Sequence, residues 1–453
     1  MSILNKIKIF IYHCVAFVYA MALAIKRKAS SGNAIPEQID EYFLPDTEGG
    51  FTNLADSILI YAATVGELRA ASVFIQKMRQ AWPNCNLIIV PGQRQYAQTF
   101  FETHPYARVM IEFPSAPAVT DQFFRQNRIK FCVFVEGPSL HGYFPIRQDL
   151  SLPVGCLKHQ VPIVIINACL YKKQLHSRID LLEHRLFSGL FRLSVKHWYV
   201  PTAEICADLR KHQISKQNIS VVGDIKFDNV FSDGFQPSAN QELEAYIHGI
   251  GSNNRMIVAG SVNAFEEQKA LVLAWLHTRS SISDTVLILA PRYINDKNMM
   301  ARLTQFLRDR GIEYALRSES ISAAGNKQLI IIDTFGELAY FYKQANIAFA
   351  GRGHGVLEPM KYFKPVVVGP HECWTKENST SYLLYQEMRE NQALIECSSY
   401  AELGGLFLKM LEDTAFGEAY VQRYMRVIKG KMGASEKIID HMSNFLNLQS
   451  GAN

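Results

Sequence analysis

The stretch Ile58-Leu-Ile-Tyr-Ala62-Ala-Thr64-Val-Gly-Glu67-Leu-Arg-Ala-Ala-Ser-Val-Phe-Ile-Gln-Lys-Met-Arg79 decides the fold class. Ile58–Ala62 is a short unbroken apolar run, the pattern of a strand covered on both faces, as in a parallel sheet. Gly66 permits a tight turn, and Glu67 falls in the first turn of a helix running to about Arg79. Strand, turn and helix make the opening of a βαβ unit.

The same alternation spreads in both directions. Leu87–Val90, Lys130–Val135, Pro162–Ile166, Trp198–Val200 and Ser220–Val222 read as further strands, separated by helix-length segments. A second series runs through Met256–Ala259, Thr285–Ala290, Leu329–Ile332, Ile347–Ala350, Pro365–Val368 and Ala393–Ile395. Between the two series, Asn229–Asn254 is rich in Gly, Ser, Asn and acidic residues and reads as a linker. The chain of 453 residues is long enough for two such domains and too long for one ordinary core. The expected architecture is α/β: two doubly wound Rossmann-like domains facing each other across a cleft. Segments 1–28, 29–228, 229–254 and 255–453 are the expected N-terminal segment, first domain, linker and second domain.

Composition narrows the function. Hydrophobic content of 48% with 20% charged residues is that of a globular protein. The net charge of +5 is matched by Lys6, Lys8, Lys26, Arg27 and Lys28, which no acidic residue offsets. The remainder is close to neutral, so no nucleic-acid partner is expected. None of the eight cysteines forms a C-x-x-C pair, which fits reduced thiols in a cytosolic compartment. His371-Glu372-Cys373 carries ligand-type side chains, but neighbours in an extended segment point to opposite faces, so no metal is expected there. Walker A, G-x-G-x-x-G, G-x-S-x-G and H-E-x-x-H patterns are absent.

Ile9–Ile25 is an apolar run slightly short of a comfortable bilayer crossing. Ala22-Leu-Ala24 resembles a signal-peptide cleavage site, yet Lys26-Arg27-Lys28 follows at once and opposes translocation. A membrane-anchoring helix, spanning or lying in the interface and held by those cations, fits better.

Parallel sheets bind ligands at the carboxyl ends of their strands, so candidates are sought there. Glu67 is suited to act as a general base, although a carboxylate in a first helical turn also serves simply to offset the helix dipole. Gly351-Arg352-Gly353-His-Gly355-Val-Leu-Glu358-Pro359 places three glycines between a strand and a helix, where backbone N–H groups can approach an anion. Glu358 there is suited to ribose hydroxyls. Ala290-Pro291-Arg292 sets a guanidinium at a strand end, with a surface ion pair as the plainer reading. Gly336-Glu337-Leu338 opens a helix after a strand and is unremarkable alone. In Gly223-Asp-Ile-Lys226-Phe-Asp228, Lys226 is a phosphate partner, a carboxylate partner or a solvated side chain.

In order, these segments resemble the transferases of 3-deoxy-D-manno-octulosonic acid (Kdo) in lipopolysaccharide synthesis. The matching pieces are T-V-G-E at Glu67, G-D-I-K-F-D at Gly223–Asp228, Ala259-Gly-Ser261-Val262, Ala290-Pro-Arg-Tyr293 and Gly336–Leu338. Gly355-Val-Leu-Glu-Pro359, Phe363-Lys-Pro-Val366 and Val368-Gly-Pro-His371 complete the series. The resemblance implies a GT-B glycosyltransferase with an N-terminal membrane anchor, an acceptor-binding first domain and a nucleotide-sugar-binding second domain. It implies CMP-Kdo as donor, a lipid A precursor as acceptor, the cytosolic face of the inner membrane as location, and neither metal nor cofactor. Glu67 becomes the catalytic base. Lys226, Ser261, Pro291, Arg292, Gly336, Glu337, Leu338, Gly353, Gly355 and Glu358 become the donor-binding set.

The chain also departs from the family pattern. Gly355 replaces an asparagine, Tyr293 a histidine, and Cys169 an arginine, while the E-T-E-L-W-P stretch shrinks to Glu136-Gly-Pro138. Most losses fall in the first domain, so the acceptor is the less secure expectation. Another nucleotide sugar, another membrane acceptor, and a non-catalytic nucleotide-binding scaffold are the rival readings.

Overall fold

The computed structural model describes residues 6–12, 14, 42–44, 56–114, 116–136, 151–168, 189–212, 214–230, 241–294, 296–319, 327–334, 336–351, 355–370 and 380–445. The chain divides into two compact units, Met1–Asn229 with Met432–Asn453, and Val230–Lys431.

Unit 1 is built on β1 (Ser57–Ala62), β2 (Asn86–Pro91), β3 (Arg108–Val109), β4 (Ile129–Val135), β5 (Ile163–Ile166), β6 (Val195–Val200) and β7 (Ile219–Val221). These form one sheet in the order β3-β2-β1-β4-β5-β6-β7, with every ladder parallel. The central strands read as continuous apolar runs because helices cover both faces: β1 and β5 have no exposed residue. Helix Ser72–Ala81 buries Phe74, Ile75 and Met78 against that sheet. Burying a side chain such as Phe74 stabilises by roughly 1.5–3 kcal/mol.

Unit 2 repeats the plan with β8 (Arg255–Val262), β9 (Thr285–Pro291), β10 (Ala315–Leu316), β11 (Leu329–Ile331), β12 (Ile347–Ala350), β13 (Val366–Val368) and β14 (Ile395–Glu396). Their order is β10-β11-β9-β8-β12-β13-β14, again all parallel. In both sheets the first strand lies where the winding direction reverses, β1 beside β4 and β8 beside β12. Carboxyl ends at such a reversal leave room for a ligand.

The expected strands are present, and two edge strands, β3 and β10, were not anticipated. Each is two residues long, too short to leave a periodic signal. The expected linker 229–254 is in part a helix. Gln241–Asn253 is a helix that buries Leu243 and Ile247, so its polar composition marks a solvated face. The second domain also ends earlier than expected. Helix Ala434–Phe445 belongs to unit 1, where Ile438, Ile439 and Met442 join the core of Phe74, Met78 and Phe131.

Two consecutive residues pin this arrangement. Asp228 accepts from the backbone N–H of Gly433 (2.6 Å) and of Ser435 (2.7 Å) at the start of the returning helix. Asn229 Oδ1 accepts from the Ser72 hydroxyl at 2.9 Å, and its amide donates to the carbonyls of Arg69 and Ala70.

Of the apolar run Ile9–Ile25, only 9–12 and 14 are described. Residues 6–12 are helical, and most of the expected anchor lies outside the described residues. Among the described residues no helix is long and apolar enough to cross a membrane.

Candidate functional site

In unit 1 the candidate residues gather at the carboxyl ends of β1, β4, β5 and β7. Thr64, extended at φ −138° and ψ 161°, caps the helix that follows β1, its hydroxyl accepting from the Glu67 backbone N–H at 3.2 Å. The Glu67 carboxylate turns back and accepts from the Ala63 N–H at 2.6 Å. That hairpin of hydrogen bonds fixes the side chain at the strand end, half-buried. Burial, and then the nearby charge of Glu136, raise its proton affinity more than the Ala63 bond and Lys226 lower it. Its pKa is pushed up to about 8, which makes Glu67 a stronger base than an ordinary carboxylate.

Lys226 stands in the 3-10 turn Ile225–Asn229 after β7. Asp224 Oδ1 accepts from its backbone N–H at 2.9 Å, and its ammonium lies 2.5 Å from Glu136 Oε1. Of the three sequence readings of Lys226, the carboxylate partner is the one observed. Lys226, expected in the donor-binding set, lies in unit 1 with its ammonium against Glu136. Asn167 Nδ2 also donates to Glu136 Oε1, at 3.2 Å. Burial raises the Asp224 carboxyl as well, against the lowering effect of Lys226. Glu136, Asn167 and Asp224 were not among the expected site residues. The signal that finds them is position: each directly follows a strand, or a strand and one turn, on the same edge as Glu67.

In unit 2 the ends of β8, β9 and β12 converge. Ser261 adopts φ 56°, and the β8–β9 register shifts between Ala259 and Val262, so the strand bulges there. Gly351 permits β12 to press against this bulge, since a Cβ there would lie 2.6 Å from the Ser261 carbonyl oxygen. Gly355 takes φ 80°, and a Cβ on it would meet Ser261 Oγ at 3.6 Å and Glu358 Oε2 at 3.8 Å. Ser261, Gly355 and Glu358 thus share one spot. Pro291 is buried and pairs with Val262, while the next backbone N–H, of Arg292, donates to the Val262 carbonyl at 2.9 Å. The Arg292 guanidinium is exposed beside the Tyr293 ring, with no ion pair to a described residue.

The helix after the glycine loop is only Leu357–Lys361, five residues, so it offers little dipole to an anion. The Glu337 carboxylate is engaged by the Arg317 guanidinium, with Nε–Oε2 2.9 Å and Nη2–Oε1 3.0 Å, and by the Thr334 hydroxyl at 2.6 Å. Its side chain is thus engaged within unit 2, and Gly336, at φ 85°, and Leu338 offer main chain at the same helix start. Gly353 and Arg352 lie outside the described residues, as do His371-Glu372-Cys373. Among the described residues no group of three or more His, Cys, Asp or Glu side chains is placed to hold a metal. The six described cysteines are free thiols.

Residues 37–229 match the family model described as 3-deoxy-D-manno-octulosonic-acid transferase (kdotransferase). The chain is 22% identical over 408 residues to the 3-deoxy-D-manno-octulosonic acid transferase of Haemophilus influenzae, covering 86% of this chain and 87% of that protein. It is 20% identical over 398 residues to the transferase of the same name from Rickettsia felis, covering 86% and 79%. Among solved structures, a UDP-GlcNAc 2-epimerase of Neisseria meningitidis superposes with a TM-score of 0.60 at 14% identity, over 86% of this chain and all of that one. At that identity the likeness concerns the fold, which is GT-B-like.

Proposed function

We propose that this chain, a divergent member of the Kdo transferase family and so a glycosyltransferase, moves Kdo from CMP-Kdo to a hydroxyl of a lipid A precursor at the cytosolic face of the inner membrane. The observation that carries the proposal is Glu67: a carboxylate tied to a strand end, with its proton affinity raised to about pH 8, beside an ammonium–carboxylate pair.

The reaction is a direct displacement at the anomeric carbon. Glu67 takes the proton of the acceptor hydroxyl as the oxygen–carbon bond forms and the bond to the CMP phosphate breaks. The leaving phosphate gathers negative charge, which the exposed Arg292 guanidinium and the backbone N–H groups around Gly355 are suited to stabilise. Glu358, next to Ser261 and Gly355, is suited to accept from ribose hydroxyls. The main chain at Pro291 and at Gly336–Leu338 offers acceptors and donors to the base. Catalysis requires the donor held by unit 2 to meet Glu67 during turnover, and the chemistry asks nothing of a metal.

Membrane association is part of the same proposal. Lys6 and Lys8, with Lys26-Arg27-Lys28 beyond, suit an anionic lipid surface. In the helical residues 6–12, Ile7, Phe10 and Ile11 are exposed while Ile9 and Tyr12 are buried, leaving an apolar face for the interface.

The test is incubation of the purified protein with labelled CMP-Kdo and lipid A precursor in vesicles. Release of CMP together with a new glycolipid is expected. CMP release without glycolipid would reject this acceptor, and failure to bind CMP would reject the donor.

A further inference from the structure

We infer that Glu136, supported by Asn167, is a positioning residue that holds the Lys226 ammonium beside Glu67 and keeps it from neutralising the base. The inference rests on the reading of Glu67 as that base and assigns roles to two neighbours that the reaction itself does not use.

Strand order supplies the geometry. β1, β4 and β5 are adjacent, and Glu67, Glu136 and Asn167 lie at or just beyond their carboxyl ends. The Glu136 N–H donates to the Ile166 carbonyl at 2.9 Å, extending the ladder by one residue before the chain turns away. Both Glu136 (φ 54°) and Asn167 (φ 53°) then adopt the left-handed region. For a glutamate this conformation is strained and persists where its surroundings over-determine it, whereas asparagine adopts it more readily. Here the strained turn at Glu136 aims a carboxylate inward. Its side chain is only 6% exposed, with Asn167 Nδ2 at 3.2 Å and Lys226 Nζ at 2.5 Å. Asn167 is itself fully buried.

Lys226 is held at both ends. Asp224 grips its backbone N–H and Glu136 its ammonium. Glu67 feels the two partners with opposite sign: Glu136 strengthens its hold on a proton, and Lys226 weakens it. An ammonium bound to Glu67 would make it a weak base at neutral pH. An ammonium bound to Glu136 leaves it a strong one.

A purely structural ion pair predicts a loss of stability alone. A positioning pair predicts movement of the acid-side limb of kcat/KM, where Glu67 must lose its proton to act. The full-length protein is assayed for Kdo transfer across pH as the parent, Glu136→Gln, Lys226→Met and Lys226→Arg, with Tm measured for each. Glu136→Gln is expected to move the limb to lower pH by about one unit, because a like charge is lost and the ammonium is released toward Glu67. Lys226→Met is expected to move it upward by about one unit, and Lys226→Arg to return it to the parent position.

Limbs that stay in place, or move in the same direction in Glu136→Gln and Lys226→Met while both proteins remain folded, would overturn the inference. Should Glu136→Gln not fold, Lys226→Met against Lys226→Arg decides alone: an upward shift reversed by arginine supports the positioning role, and an unmoved limb sinks it. A parent that transfers no Kdo defeats the proposed reaction separately. The positioning role is then read without turnover, from the infrared titration of Glu67 (identified by subtraction of Glu67→Gln) in the parent and in Glu136→Gln.

Discussion

Glu67 Oε2 accepts a 2.6 Å hydrogen bond from the backbone N–H of Ala63, four residues upstream. The same bond recurs in unit 2, where Glu267 Oε2 accepts from the Asn263 N–H at 3.1 Å. Each carboxylate follows the first strand of its sheet and satisfies the backbone where that strand gives way to a helix. The environments then diverge. Glu267 is fully buried and takes a second bond from the Tyr400 hydroxyl at 3.0 Å, whereas Glu67 is half-buried beside Lys226 and Glu136.

One geometry thus serves two ends, and substitution separates them. Glu67→Gln keeps an acceptor for Ala63 but removes the base, so Kdo transfer is expected to fall about 10²–10⁴-fold with the far-ultraviolet spectrum unchanged. Glu267→Gln is expected to lower Tm instead. A Glu67→Gln protein that transfers as fast as the parent would rule out the base.

Stability against pH should show the cost of holding Glu67 in this place. Its folded-state pKa, about 8, lies above the ordinary carboxylate value of 4.5. Between those values the folded protein binds a proton that the unfolded chain has released, so this residue's contribution to stability falls as pH rises through that window. Above about pH 8 both states are ionised and the loss is complete. Glu67→Gln carries no such loss. Its Tm relative to the parent should therefore climb between pH 5 and about pH 8 and then level off. A constant difference across the series would contradict the raised pKa.

The carboxylate of Asp228 joins two parts of unit 1 that are about 200 positions apart in sequence, through the N–H groups of Gly433 and Ser435. Asp228→Ala leaves two donors at a helix start without their partner. A loss of about 2–3 kcal/mol is expected in denaturant unfolding. Hydrogen exchange should quicken first in Ala434–Phe445. Equal quickening across unit 1 would argue against a local latch.

The sheets were legible because buried parallel strands write continuous apolar runs into the sequence; Ile58–Ala62 and Thr285–Ala290 come within one residue of β1 and β9. What escaped depends on distant partners. Nothing near Ala434 says that its helix packs under Phe74. Nothing near Glu337 says that Arg317, twenty residues upstream, engages its carboxylate. Glu67 was legible because strand, glycine turn and acid are contiguous. Glu136 and Asn167 were not singled out, because their left-handed turns arise where two strands end side by side, which no local window records.

Gly351 offers a test of the glycine loop that needs no ligand. A Cβ there would meet backbone atoms, the Ser261 carbonyl oxygen at 2.6 Å and Val262 Cα at 2.9 Å, which cannot swing aside. Gly351→Ala is expected to destabilise by about 1–3 kcal/mol and to weaken nucleotide binding by disturbing Ser261. Gly405, inside helix Leu403–Glu412, has nothing within 4 Å of its would-be Cβ. Gly405→Ala should stabilise by about 0.5–1 kcal/mol. Equal effects of the two substitutions in urea melts would show that the β8–β12 approach is not close.

Arg292 and Glu337 stand at neighbouring strand ends in unit 2 with opposite expectations. Arg292 is exposed, and its removal disturbs no ion pair with a described residue. Arg292→Ala should leave Tm unchanged and weaken CMP binding about 10- to 100-fold, the loss of one charge-assisted hydrogen bond to phosphate. Raising salt should reduce the parent's affinity more than the variant's, because one phosphate contact has already gone. Glu337 is held by Arg317 and Thr334 with its side chain 18% exposed, so Glu337→Ala strands a partly buried guanidinium. Its first effect should be a lower Tm, with affinity for CMP falling only as the helix start at Leu338 loosens. Titration calorimetry with CMP, paired with melting curves, separates the two. A stable Glu337→Ala protein that has lost CMP binding outright would return this carboxylate to the donor site.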